Sequence, residues 1–410
     1  MPNPSPSSPE RVYRRRRVTV FGILAVVLLV LGYISIAVLR PIPANAAQLE
    51  TTAPISQPAT PLQWPDYGTG AIGAVGIDGI LGDSGIQQST PMASITKTVT
   101  ALVVLDRMPL AAGENGPELT LTEADAGIYS QTIAEGGSAA PVVPGSVFSE
   151  RQLLQAMMLP SANNYSITLV TWAFGSMPAF LQAASDWLAA HDLAGTHIAD
   201  SSGLDSDSRS TPADLVTIGK LALEHPVLSE VVAEQSAVLP GIGTVENTNK
   251  LLGKNGVIGL KTGTTRVAGA CLLFAAEATV GGEIITFVGV ILGAPNHRQL
   301  NQDVTELIAS ATAGFSELQL VEAGDSFGSY TTPWGAASEI VAAESASVLV
   351  WQDAPVTVTP TASALESGED GREVGSVTFE HDGESIVVPL VLEDELDGAD
   401  LGWKLSNAFG

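Results

Sequence analysis

Residues 18–39, VTVFGILAVVLLVLGYISIAVL, form an apolar run without a charged side chain. At about 1.5 Å per residue a helix of this length crosses a hydrocarbon core of about 30 Å, so the run predicts a transmembrane anchor. Arg14–Arg17 precede it and only Arg40 follows at once. The positive-inside asymmetry therefore makes 1–17 a cytoplasmic basic tail and puts the rest of the chain outside. Ala44-Asn45-Ala46 has the small-x-small form of a cleavage site, so secretion after cleavage near Ala46 is the alternative. The apolar run is longer than the about 7–15 residues of a signal core, which favours a retained anchor. Residues 40–63 carry Pro41, Pro43, Pro54, Pro58 and Pro61 among small polar residues and predict an extended linker.

Over 64–318 strand-like and helix-like patterns alternate. AIGAVGI (71–77) is a short apolar run between turn residues and predicts a buried strand. Ile95, Val99, Leu102, Val103 and Leu105 recur at helical spacing, with Pro109 as the stop. Ser149-x-x-Gln152 is a capping box ahead of Leu153, Leu154, Met157 and Met158. Three strands fit 257–294, Gly281-Gly282 making the second turn, and Leu300, Val304, Leu307, Ile308 and Ala311 mark a helix after them. This order predicts an α+β domain in which helices flank an antiparallel sheet. In 319–410 helical periodicity gives way to short alternating runs, SVLVW, APVTVTP, GSVTFE and SIVVPLVL, which predict a small all-β domain.

Charge narrows the class. The chain of 410 residues carries 18 Lys+Arg against 44 Asp+Glu, a net −26. Arg11, Arg14, Arg15, Arg16, Arg17 and Arg40 fall at the N-terminal end, so the exported body is more acidic still. Such a body repels a phosphate backbone, and nucleic acid is excluded as its partner. Cys271 is the only cysteine, and the five histidines include no His-Glu-x-x-His pair. Neither a disulfide framework nor a metal or other cofactor is expected.

Three short motifs carry chemistry. In Ser94-Ile95-Thr96-Lys97 the first and last residues share a helix face one turn apart. A lysine stripped of water, or placed beside another cation, loses its proton and can activate the serine hydroxyl. Lys97 is the only one of six lysines with a serine three residues before it. Ser161-Ala162-Asn163 follows Pro160, and its hydroxyl and amide can relay a proton and hold a peptide. Lys261-Thr262-Gly263 puts a cation, a hydroxyl and a bare backbone on one strand, which suits an extended peptide ending in a carboxylate. Lys261 is also a source of the charge that would lower the pKa of Lys97.

With these motifs in this order, residues 62–318 resemble the low-molecular-mass penicillin-binding proteins, the serine-type D-Ala-D-Ala carboxypeptidases. The fold this implies is the β-lactamase/transpeptidase-like domain, to which a β-rich appendage is commonly joined. The likeness rests on PMASITK (91–97), LPSANN (159–164) and GLKTGTT (259–265), and on Ser202-Gly203-Leu204 with STPADL (210–215). It implies that Ser94 attacks the penultimate D-alanine carbonyl, Lys97 is the base and Ser161 the proton shuttle. Asn163, Lys261, Thr262 and Gly263 would bind substrate, and the N–H groups of Ser94 and Thr264 would form the oxyanion hole. The implied partners are a peptidoglycan stem peptide ending in D-Ala-D-Ala, β-lactams as covalent inhibitors, and the bacterial cell membrane. Asn164-Tyr165 stands where many relatives have Asp-Ala, and Ser202 where many have His.

Alternatives stay open at this level. A serine β-lactamase shares the motifs, although the class A segment Glu-x-x-Leu-Asn is missing between Ser161 and Lys261. An endopeptidase or transpeptidase acting on crosslinks is another, and an inactive wall-binding scaffold a third.

Overall fold

The computed structural model describes residues 9–408, so the first eight residues of the basic tail lie outside the described range. Helix α1 (Pro9–Leu39) contains the apolar span 18–39, whose side chains, Phe21 and Leu29 among them, are exposed except for Ala37. By length and composition Tyr13–Leu39 is able to cross a membrane. The chain falls into two units, Ala59–Ser316 and a second in which the segment up to Pro58 joins the residues from Glu317 onward.

The larger unit is built on one antiparallel sheet. Its strands are β1 (Thr69–Ala74), β2 (Gly82–Ser84), β3 (Val257–Thr265), β4 (Gly269–Val280) and β5 (Glu283–Ala294). Their spatial order is β3-β4-β5-β1-β2. The first expected strand ends early, at Ala74, because Val75–Ile77 turn back toward β2. Residues 270–276 of β4 are buried at every position, so both faces of the sheet are covered. Helix α5 (Pro212–Glu224) supplies one cover: Gly219 sits where a Cβ would meet Val288, Leu260 and Leu273. Helix α6 (His297–Gly314) packs on β4 and β5 as well. Edge strand β3 keeps one side unpaired, and this side runs past the start of helix α2 (Thr96–Arg107).

Helix α2 goes beyond the apolar stripe expected for it. Every residue from Thr96 to Leu105 is buried, polar ones included. Thr96 caps back to the Ala93 carbonyl at 2.8 Å and Thr100 donates to the Ser201 carbonyl at 2.9 Å, whereas the buried Thr98 hydroxyl has no partner among the described residues. The capping box forms at the start of helix α3 (Glu150–Met158): Ser149 Oγ accepts from Gln152 N, and Gln152 Oε1 accepts from Ser149 N.

Glu150, the first residue of α3, is fully buried against Leu110 and Gly116, and both carboxylate oxygens lack a hydrogen-bond partner among the described residues. Burial pushes its carboxyl up to about 7 from 4.5. The folded state thus favours the protonated acid. Its contribution is complete below the unfolded pKa near 4.5 and is lost as pH rises through about 7, by about 3 kcal/mol. Glu150→Gln is expected to remove this slope. Between about pH 5 and pH 8 the wild type should lose roughly 6–12 °C of melting temperature that the variant keeps. Parallel melting curves for the two would contradict the burial argument.

The second unit has a six-stranded antiparallel sheet. In spatial order its strands are Gln48–Leu49, Ser326–Thr331, Ala337–Ala342, Glu384–Leu392, Glu373–His381 and Thr357–Ala362. Phe327, Tyr330, Ile340, Val377, Phe379, Val388 and Leu390 form its core. The Pro-rich stretch is extended but does not run free. Asn45 exchanges backbone hydrogen bonds with Leu365, and Ile55 does so with Val356. Gln48 and Leu49 pair with Ser329 and Gly328. A Cβ on Gly328 would lie 2.2 Å from the Gln48 carbonyl oxygen, so this contact requires glycine.

Candidate active site

Ser94 lies in a 3-10 turn, Ala93–Ile95, that runs directly into α2. One helical turn later Lys97 is fully buried, and its Nζ has three neighbours. Ser94 Oγ is at 2.8 Å, Asn163 Oδ1 at 2.7 Å and the Ser202 carbonyl oxygen at 3.1 Å. Two of these, the amide oxygen and the carbonyl, can only accept. A neutral amine has two N–H bonds for them and one lone pair left, which faces the Ser94 hydroxyl. Lys97 is held well below its ordinary value, first by burial and then by the positive charge of Lys261, while Asp200 opposes both. Lys261 is buried too, donates to the Thr262 carbonyl at 3.0 Å, and is brought down to about 7 by burial.

Asn163 opens helix α4 (Asn163–Phe174) and joins the second motif to the first through Lys97. Ser161 sits in the loop before it, buried, at φ +63°. Its hydroxyl makes no hydrogen bond among the described residues and does not touch Ser94 or Lys97 through one. The neighbouring departures from the family pattern have a structural use. Asn164 holds Ala140 by both its backbone N–H and its carbonyl, and Tyr165 donates to the Pro141 carbonyl at 2.9 Å. Both side chains therefore pin a loop.

The third motif lies along edge strand β3. Gly263 faces the nucleophile turn: a Cβ there would come within 3.0 Å of both Ser94 N and the Met92 carbonyl oxygen. Glycine lets the strand approach the Ser94 N–H, and a side chain would push the two apart. The Thr262 hydroxyl lies 2.7 Å from that of Thr248. Thr264 Oγ1 lies 2.7 Å from the Gly263 carbonyl and 2.6 Å from His297 Nε2. Cys271, opposite Gly263 on β4, is fully buried, and burial pushes its thiol up to about 11, so it is an inert strand residue.

Asp200, Thr248 and His297 were not marked by any sequence motif. Asp200 accepts from the hydroxyls of Ser202 and Ser208, both at 2.6 Å, and from the N–H groups of Ser202, Gly203 and Leu204. It thereby fixes the loop whose Ser202 carbonyl holds Lys97. Gly203 closes this loop on the nucleophile turn, since a Cβ there would overlap the Ala93 carbonyl oxygen at 1.8 Å. An Asp two residues before a Ser is a loop signal of low specificity. Its bearing on the lysine exists only in three dimensions.

The family described as D-alanyl-D-alanine carboxypeptidase matches residues 76–296. Among relatives, D-alanyl-D-alanine carboxypeptidase DacA of Escherichia coli K12 is 26% identical over 322 residues, covering 74% of this chain and 77% of its own. The DD-transpeptidase of Streptomyces K15 is similar in structure, with a TM-score of 0.53 and 26% identity. That likeness covers 63% of this chain and 100% of the K15 chain. Penicillin binding protein 5 of Haemophilus influenzae shares the fold at 20% identity, with a TM-score of 0.56 over 85% of this chain and 100% of its own.

Proposed function

Since the chain belongs to the D-alanyl-D-alanine carboxypeptidase family, we propose that its reaction runs on the Ser94–Lys97–Ser161 group, within a catalytic domain at 64–318. The chain is a penicillin-sensitive serine peptidase that removes the terminal D-alanine from peptidoglycan stem peptides through an acyl-serine. The observation that carries the assignment of residues is Lys97 Nζ at 2.8 Å from Ser94 Oγ, with its other hydrogen-bond partners both acceptors.

The substrate lies extended along the free edge of β3, its terminal carboxylate against Lys261 and Thr262. Neutral Lys97 takes the Ser94 proton as Oγ attacks the penultimate D-alanine carbonyl. The developing oxyanion is met by the N–H groups of Ser94 and Thr264, Gly263 letting strand β3 approach the Ser94 N–H. Ser161, whose hydroxyl is otherwise unengaged, passes the proton to the leaving amine. Asn163 keeps Lys97 oriented and binds the substrate amide. Water then releases the shortened peptide from Ser94. A carboxylate on Lys261 also stabilises its ammonium form, which helps to keep Lys97 neutral.

Residues 18–39 anchor the chain in the bacterial cell membrane, with 1–17 inside and both folded units outside. The exposed apolar surface of α1 supports a lipid-facing helix. The all-β domain at 319–410 is strapped by the segment that follows the anchor.

The test is incubation of the full chain in detergent with a stem peptide ending in D-Ala-D-Ala, and separately with penicillin. Stoichiometric D-alanine release and a penicilloyl adduct lasting many minutes are expected. Penicillin turnover within seconds would instead favour a β-lactamase, and transfer to an added amine a transpeptidase.

A further inference from the structure

The Thr264 hydroxyl has one proton and two close neighbours, the Gly263 carbonyl and His297 Nε2. The carbonyl can only accept. When Thr264 donates to it, Nε2 must carry a proton and donate to Thr264. When Nε2 is bare, as in the neutral Nδ1–H tautomer, the Thr264 proton is drawn to the ring and the Gly263 bond is given up, whereas the neutral Nε2–H tautomer and the cation both donate to Thr264. The ring therefore decides where this hydroxyl points, on the strand that faces Ser94. His297 is half-buried at the first position of α6, an unfavourable place for a cation. It sits below its ordinary value, first through burial and then through Lys261.

Among the described residues the charged group that acts on the ring is a cation, Lys261. Lys261 lies on β3, Arg266 in the turn after β3, and Arg298 beside it on α6. Glu277 and Glu283 lie toward the opposite ends of β4 and β5, and Asp303, further along α6, is taken by the Tyr67 hydroxyl. Asp66, in the segment packed on Leu292 and Gly293, shares this end of the sheet, yet among the described residues no carboxylate acts on the His297 ring. A substrate carboxylate on Lys261 and Thr262 would do so.

We propose that His297 is a positioning and specificity residue for the free terminal carboxylate: substrate binding draws a proton from water onto its ring, which then donates through Nε2 to Thr264 and sets the Thr264–Gly263 bond. The inference rests on the carboxypeptidase reading above and adds a residue outside its three motifs. It makes affinity for a free carboxylate pH-dependent, with tighter binding on the acid side.

The experiment compares full-length wild type with His297→Gln and His297→Arg in detergent. KM and kcat are measured for a D-Ala-D-Ala peptide across about pH 5.5 to pH 8.5, beside labelling by a fluorescent penicillin. Wild-type KM is expected to rise about tenfold over this range, with the change falling on KM more than on kcat. Lys261, itself brought down to about 7, gives every form some slope, so the difference from wild type is read: His297→Gln should make the rise shallower, and His297→Arg, a permanent cation, should keep KM lower at the alkaline end. A wild-type slope in either folded variant overturns the inference, and if one variant fails to fold the other decides. Failure of the wild type to take up penicillin or release D-alanine would overturn the carboxypeptidase reading itself.

Discussion

Ser94→Ala is expected to give a folded chain that releases no D-alanine and shows no mass increase after penicillin. The substitution removes one oxygen from a half-buried turn. Lys97 keeps Asn163 Oδ1 and the Ser202 carbonyl as partners, so no buried amine is left without hydrogen bonds. The Ser94 N–H and its approach to Gly263 are backbone features and survive. What is lost is the atom that forms the acyl bond, and oxyanion stabilisation alone cannot replace it. A loss of about 10⁴-fold or more is expected. Intact mass after penicillin, followed by digestion to locate the adduct, decides the matter. An adduct that persists in a variant with a wild-type melting curve would mean that another residue is the nucleophile.

The parts of this site that could be read from the sequence are those within one helical turn or one strand. Ser94 and Lys97 meet because residues three apart share a helix face, and the Ser149–Gln152 box closes for the same local reason. Lys261, Thr262 and Gly263 needed only a strand, and the run from Val257 supplied it. Asp200, Thr248 and His297 act on residues far along the chain, through loop closure or sheet register, and no local periodicity encodes that. Residues 40–63 were legible as extended but not as a strap. Their backbone partners, Ser329, Val356 and Leu365, come from the other end of the sequence. The strands Ser326–Thr331 and Ala337–Ala342 escaped because SFGSYT and ASEIVA alternate weakly, and their pairing comes from tertiary neighbours.

Lys97→Arg is expected to lower the rate of acylation by about 10³–10⁴-fold while leaving Ser94 in place. A guanidinium does not give up its proton at any working pH, so it cannot take one from Ser94. In the wild type, burial and then Lys261 hold Lys97 below its usual value, and Asp200 opposes them. Only the neutral amine is a base, so acylation should rise with pH along a limb set by loss of the Lys97 proton. The sign of each neighbour then follows. Lys261→Met removes a repelling cation, raises the pKa of Lys97, and should move this limb to higher pH. Asp200→Asn removes an attracting anion and should move it to lower pH. Lys261 also binds the carboxylate, so its loss weakens acylation at every pH. The position of the limb, rather than its height, is the quantity to measure, with penicillin in excess at each pH. Opposite displacements in the two variants are the expected result. If both moved the limb the same way, or Lys97→Arg labelled at the wild-type rate, Lys97 would not be the group that accepts the Ser94 proton.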